Sequence, residues 1–440
     1  MSACVTVSEN PRYSCALGGA IPSVAAIHRA IPVLHSGPGC GMQLFNGQNY
    51  VAGYQGYGYA GGSAVPSTNT YEKEVVFGGE QKLRQILAST LEIMDGDLFV
   101  VLSGCASEII GDDVGSIITD FRGALESEGR AIAFAETGGF KGNAYYGYDR
   151  VFEALASQIV LPAQRQLQTV NLLGVVPSQD LFWQGNLEEL SRLLGRLGLK
   201  VNTFLTGRQG LETVRQSSGA ALNVILSPYL AEGAAKLYED RFGVPSLRFS
   251  SVPIGPTATA EFLRQIAQRL EVADTTLAKV IEEENAYAYE YYDKSSLVIT
   301  GFSIQHRLAI IGDAATVIGI AKFLVNDFSQ LPAIAVITDE PPEETRDQIT
   351  RELTTFEYGD PPEVIFAPDL WTVHAAVRKV SPTIVLGSSL DKDLAQELGV
   401  QHKTVSFPAT DRLILNRAYA GYRGSVTLIE DFVEPGLAPL

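Results

Sequence analysis

From about residue 97 onward, short apolar runs alternate with longer stretches in which apolar residues recur three and four positions apart. LFVVLSG (98–104), AIAFAE (131–136), NLLGVV (171–176), VNTFLT (201–206), NVILSP (223–228), LAIIGD (308–313), AIAVITD (333–339), VIFAPD (364–369) and TIVLGS (383–388) predict strands. They are rich in β-branched and apolar residues, and most stop at Gly, Ser, Thr, Asp or Pro. Between them, segments such as NLEELSRLLGRLG (186–198), TATAEFLRQIAQRL (257–270) and PEETRDQITRELTTF (342–356) carry the helical period. Strands alternating with helices predict an α/β protein whose parallel sheets are flanked by helices. Right-handed crossovers give Rossmann-like units, with chemistry beyond the carboxyl ends of the strands.

The alternation restarts near 170 and again near 295, after the acidic, tyrosine-rich EEENAYAYEYYDKSS (282–296). Three Rossmann-like domains follow, over 1–170, 171–295 and 296–440, the first carrying the candidate chemistry. The Gly/Tyr/Ser-rich stretch 46–70 shows neither period and is too long for an ordinary connection. Tyr50, Tyr54, Tyr57 and Tyr59 offer more packing area than a flexible linker carries, so a functional loop is expected there rather than a disordered tip.

The 440 residues, 46% hydrophobic, suffice for more than one core. With 33 basic against 50 acidic residues the formal charge is −17, which repels nucleic acid and anionic membrane surfaces. No apolar run approaches the roughly 20 residues of a membrane span, and no export or organelle signal is visible, so a cytoplasmic location is expected. Four cysteines in such a chain make a poor disulfide framework. No G-x-x-x-x-G-K-[ST] loop or nucleophile elbow occurs, so neither ATP hydrolysis nor Ser–His–Asp chemistry is expected of this chain.

Cys15, Cys40 and Cys105 each stand among small or turn-forming residues, in YSCALGGA, HSGPGCGM and LSGCASEIIGDD. Small neighbours leave room for an inorganic body, let backbone approach it and free amide N–H groups to face sulfur. Gly37, Gly39, Gly41 and Gly104 fit that use. Three buried free thiols are the plain alternative. Zinc is a weaker one, because the C-x₂₋₄-C pairs of structural zinc sites are missing. Three thiolates fall short of the four a four-iron cluster takes, which points to ligands from a second chain. Cys105 follows the strongest strand, where α/β sheets place ligands. Cys4, near the terminus, is not expected to be a ligand. His35 could face a cluster sulfide or cap its turn. Glu108, Asp112, Asp113 and Asp120 are expected at a helix start.

Six segments, in order, resemble the nitrogenase component 1 family, in particular its β subunits: CALGGA, PVLHSGPGC, VVFGGEQKL (75–83), SGCASEIIGDDV (103–114), FKGNAYYGYD (140–149) and SFPATDRLILNRAYAGYRG (406–424). The resemblance implies an oxidoreductase subunit in which Cys15, Cys40 and Cys105 ligate half of a P-type [8Fe-7S] cluster, with a [4Fe-4S] cluster as the alternative. An α-type partner in an α2β2 heterotetramer would supply three more cysteines. An ATP-dependent iron protein would deliver electrons, which pass to an active-site cluster in the α-type chain. No cysteine follows Cys105, so no catalytic residue is expected in this subunit.

Departures from the family pattern set this chain apart from dinitrogen-fixing enzymes. Gly139, in ETGGFKG, replaces the serine that sits beside the oxidised cluster, and NGQNYVAGYQGYGYAGGS lacks the Arg- and His-bearing helix. They place it nearer the nitrogenase-like reductases, with methylthio-alkane reductase, which cleaves C–S bonds of small methyl thioethers, as the expectation. A true nitrogenase β subunit and a cofactor-assembly scaffold are the alternatives, the scaffold disfavoured by three retained cysteines.

Overall fold

The computed structural model describes residues 11–301, 305–357 and 359–437; Cys4 lies outside them. The first sheet holds β1 (Ala30–His35), β2 (Leu98–Ser103) and β3 (Ala131–Glu136), in that order. The second holds β4 (Gln166–Leu173), β5 (Lys200–Asn202), β6 (Ala220–Leu226) and β7 (Ser246–Phe249), in the order β5-β4-β6-β7. The third holds β8 (Arg307–Gly312), β9 (Leu331–Ile337), β10 (Glu363–Phe366), β11 (Ile384–Gly387) and β12 (Gln401–Thr404), in the order β10-β9-β8-β11-β12. All pairings within these sheets are parallel. The expected α/β architecture of parallel sheets flanked by helices is therefore present. One core cluster spans the first two sheets and another fills the third.

Strand limits depart from the apolar runs where the backbone turns. β4 stops at Leu173 because Gly174 takes φ +90, and β5 stops at Asn202, just before Phe204 at φ +64. Three strands gave no expectation. β1 contains Pro32, which is tolerated because β1 is an edge strand, and β7 and β12 are short and only partly buried. The 282–296 stretch lies inside the long helix Asp274–Gly301. Its Glu284 pairs with Arg192 at 2.6 Å and also with Arg196, so its acidity serves packing against the helix Trp183–Arg196.

The 46–70 stretch is packed at several points. Gln55 accepts a hydrogen bond from the Trp183 indole at 2.7 Å, and the Tyr57 ring meets Trp183 edge-on at 5.2 Å. Further along, Thr68 N–H donates to the Leu34 carbonyl and Leu34 N–H to that of Pro66, so this segment runs beside β1. Tyr50, Tyr54 and Tyr59 stay exposed.

The helix Ala16–Ala25, which starts just after Cys15, lies directly on the helix Ala144–Gln158. Their backbones approach so closely that a Cβ on Gly19 would sit 2.0 Å from the Ala144 carbonyl oxygen, and one on Gly147 would sit 1.9 Å from that of Ala16. Both glycines thus serve helix contact. Gly147→Ala is expected to cost about 2–3 kcal/mol in denaturant unfolding, because backbone rather than a flexible side chain must yield.

Candidate metal centre

All three strands of the first sheet end on the same edge, and the loops beyond them assemble the site. After β1, Ser36 to Gly39 lead into the turn at Cys40. After β2, Gly104 precedes Cys105, the first residue of the helix Cys105–Ile110. After β3, residues 137–143 form a loop that bridges back to the first cysteine: Cys15 pairs with Asn143, and Ala16 N–H donates to the Gly142 carbonyl at 2.9 Å.

Gly139 stands between two of the thiols. A Cβ there would meet Cys15 Cβ at 3.0 Å, Cys105 Sγ at 3.2 Å and Cys15 Sγ at 3.3 Å, and its own N–H donates to Cys105 Sγ at 3.2 Å. Cys15 and Cys105 therefore share one small space with a backbone donor aimed into it. Cys40 reaches the same edge of the sheet. Three residues after Cys40, Gln43 donates through Nε2 to Cys15 Sγ at 3.6 Å. Cys105 is exposed, while Cys15 and Cys40 are half-buried.

Among the described residues no three His, Cys, Asp or Glu side chains converge where they could hold one metal ion. That argues against a mononuclear zinc site. A larger body that reaches separate thiolates suits cysteines set among glycines in this way. The glycine cradle and the N–H aimed at sulfur fit an iron–sulfur cluster.

The glycines near the cysteines have several causes. Gly39 needs its φ of +89, and Gly104 is pressed against Ser36, whose Cβ would lie 2.4 Å from an added one. Gly139, which the local sequence marked only as a missing serine, is the residue that forms the cradle.

The four acidic residues do separate work. Asp113 caps the helix Val114–Ser127 through Ser116 N–H, and Asp120 pairs with Arg84. Asp112 binds His35 Nε2 at 2.9 Å and receives Gly79 N–H at 2.9 Å. With Nδ1 at 3.2 Å from Thr68 Oγ1, both His35 nitrogens have protein partners. Burial pushes its imidazole below the usual value against the pull of Asp112. His35 fixes the turn.

Glu108 clamps the 137–143 loop. One oxygen accepts from Ser103 and from Gly138 N–H at 2.7 Å, and the other lies 2.8 Å from Lys141 Nζ. Hydrogen bonds to Glu108 and Glu136 hold the Lys141 ammonium well above the usual lysine range. The clamp sets where Gly139 presents its N–H. Around it, Ile109 (75% exposed), Phe140 (60%) and Phe77 (81%) leave an apolar rim uncovered. Among the described residues no helix is long and apolar enough to cross a membrane.

A profile of nitrogenase component 1 type oxidoreductases matches residues 15–436. The nitrogenase molybdenum-iron protein beta chain of Azotobacter vinelandii is 23% identical over 458 residues, covering 97% of this chain and 84% of that protein. The nitrogenase vanadium-iron protein beta chain of Trichormus variabilis (strain ATCC 29413 / PCC 7937) is 24% identical over 446 residues, covering 94% and 91%. Among solved structures, nitrogenase Cp1 at pH 6.5 superposes with a TM-score of 0.81 at 19% identity, over 99% of this chain and 94% of that one. By its profile and its relatives, this chain belongs to the nitrogenase component 1 type oxidoreductases, and nitrogenase β chains are among its homologues.

Proposed function

We propose that this chain is the β-type subunit of a nitrogenase-like reductase, in which Cys15, Cys40 and Cys105 hold half of a P-type iron–sulfur cluster shared with an α-type partner. The observation that carries the reading is Gly139, set between the Cys15 and Cys105 sulfurs with its N–H on Cys105. Such a cluster, when bound, relays electrons one at a time from an ATP-dependent iron protein toward the partner's active site. The chain's own groups supply thiolates at three positions, a backbone donor at Cys105 and, through Glu108 and Lys141, the rigidity that keeps this donor in place. One side is left open: Cys105 is exposed beside Ile109 and Phe140, and the α-type chain in an α2β2 assembly is the cover that apolar rim calls for.

For the substrate we favour C–S bond reduction of small methyl thioethers, on the strength of Gly139 and the Gly/Tyr-rich 46–70 stretch. The test is to purify the complex without oxygen and supply iron protein, ATP and reductant with either dinitrogen or a methylthio-alkane. Methanethiol and a hydrocarbon, with ammonia at background, are expected. Dominant ammonia would make the chain a true nitrogenase β subunit.

Glu108→Ala is expected to keep the iron but lower the reduction potential of the cluster. An N–H donor favours the more negative, reduced state, and freeing the loop weakens it. A differential loss of about 1 kcal/mol corresponds to roughly 40 mV for one electron, to be read by redox titration with paramagnetic resonance.

A further inference from the structure

The turn that carries Cys40 also reaches Cys15. Gln43 N–H donates to the Cys40 carbonyl at 3.2 Å and closes that turn, while the Gln43 side chain ends on the first cysteine. Its Nε2 lies 3.6 Å and its Oε1 3.7 Å from Cys15 Sγ. Among the described residues Cys15 is the one hydrogen-bond partner of this amide. A thiol can donate to Oε1, but a thiolate, the form that ligates iron, only accepts. Nε2 is therefore the atom that serves a ligating sulfur.

The helix Ala16–Ala25 is shaped to admit the amide. Gly18, buried and three residues after Cys15, has Gln43 where its own side chain would stand: a Cβ there would lie 2.1 Å from Gln43 Oε1 and 2.6 Å from Ser14 Cβ. Glycine inside a helix weakens it relative to alanine. Here the missing methyl group is the space that the Gln43 amide occupies.

Two of the sulfurs thus receive an N–H. Gly139 serves Cys105 from the loop after β3, and Gln43 serves Cys15 from the turn after β1. The first donor is backbone, and no substitution removes it cleanly. The second is a side chain, which one substitution removes with all three cysteines left in place.

We infer that Gln43 tunes the reduction potential of the cluster, its Nε2–H donating to the Cys15 thiolate and drawing the potential upward. The inference rests on the reading of Cys15 as a cluster ligand. An N–H aimed at sulfur stabilises the more negative, reduced state above the oxidised one, and a hydrogen bond to a charged acceptor is stronger than one between neutral groups. Gln43 acts through a ligand sulfur and touches no substrate, so its effect falls on electron delivery.

Gln43→Met and Gln43→Lys test it. Methionine keeps the length of the side chain without a donor, and lysine offers a charged one. Each variant is purified without oxygen in complex with the α-type partner, its iron is counted, and its potential is read by redox titration with paramagnetic resonance. Gln43→Met is expected to keep its iron and to lower the ratio of reduced to oxidised cluster about tenfold at a given potential, roughly 59 mV for one electron. Gln43→Lys should lie at or above the wild type. A turn that was merely loosened would shift both variants alike, since loosening is blind to charge. Equal shifts in the two, or no shift in either, overturn the tuning role. A wild-type complex without iron overturns the cluster reading itself, and the inference with it. Should Gln43→Met lose its iron, the crystal structure of the anaerobic wild-type complex decides: an amide within hydrogen-bond reach of the Cys15 sulfur sustains the inference, and an amide turned away overturns it.

Discussion

Cys105→Ala is expected to purify as a folded protein that has lost most of its iron and its brown colour. Cys105 is exposed, and its sulfur receives only the Gly139 N–H among the hydrogen bonds of the described residues. Its removal should therefore change stability by no more than about 0.5 kcal/mol, as for other exposed positions. The circular dichroism of the chain should not move. Loss of iron could then be assigned to the missing thiolate. Cys15→Ala should bleach the complex equally, with some cost to the fold because Cys15 stands at the start of a buried helix. Cys40→Ala completes the test of the full set, since the contacts at Gly139 involve Cys15 and Cys105. Iron content unchanged in Cys40→Ala would remove that residue from the ligand set, and unchanged iron in all three variants would sink the cluster reading itself.

Arg12→Met is expected to destabilise the chain by about 3–5 kcal/mol, the cost of leaving a buried carboxylate without its cation. Arg12 lies three residues before Cys15, yet its guanidinium is buried against the third sheet. It donates to Asp391 at 2.8 Å and to Ser388 Oγ at 2.6 Å. Burial alone would raise the Asp391 carboxyl, but the Arg12 charge, with hydrogen bonds from His374, Arg12 and Ser388 N–H, holds it far below the usual range. The sign of the pH dependence follows. A depressed carboxyl contributes stability in full above its unfolded value, near pH 4, and loses it as pH falls toward the folded value. The gap between wild type and Arg12→Met should therefore be widest above about pH 5 and close in acid, as chemical denaturation at a series of pH values would show. Arg12→Met/Asp391→Leu should regain most of the loss, because no unpaired charge remains. The same variant should weaken iron retention, since the segment that Arg12 pins carries Cys15.

Much of the first sheet was legible in the residues. β2 and β3 occupy almost the same positions as their apolar runs, because a strand buried on both faces must be apolar at nearly every position. The three cysteines stood out through their small neighbours, and the order of six motifs supplied the family. The reasons for those small neighbours were less legible. In CALGGA, Gly19 serves the contact between two helices, and Gly104 makes room for Ser36, whereas the glycine that touches both sulfurs, Gly139, lies 34 positions from Cys105.

What the sequence determined by itself is local. Periodicity and turn residues set which segments become strands and helices, and side-chain chemistry set which atoms could bind iron. The tertiary structure alone decided that Arg12 would meet Asp391 across 379 positions, that His35 would turn to Asp112, and that Asp180, Asp313 and Asp339 would share one cavity. Periodicity records which face of an element is buried, since burial repeats with every turn or pleat. It carries no record of the partner on that face, because a carboxylate, a cation or a sulfur at one position leaves the same hydrophobic pattern around it. Partner choice is fixed only when distant segments close-pack and each buried charge must find its counterpart.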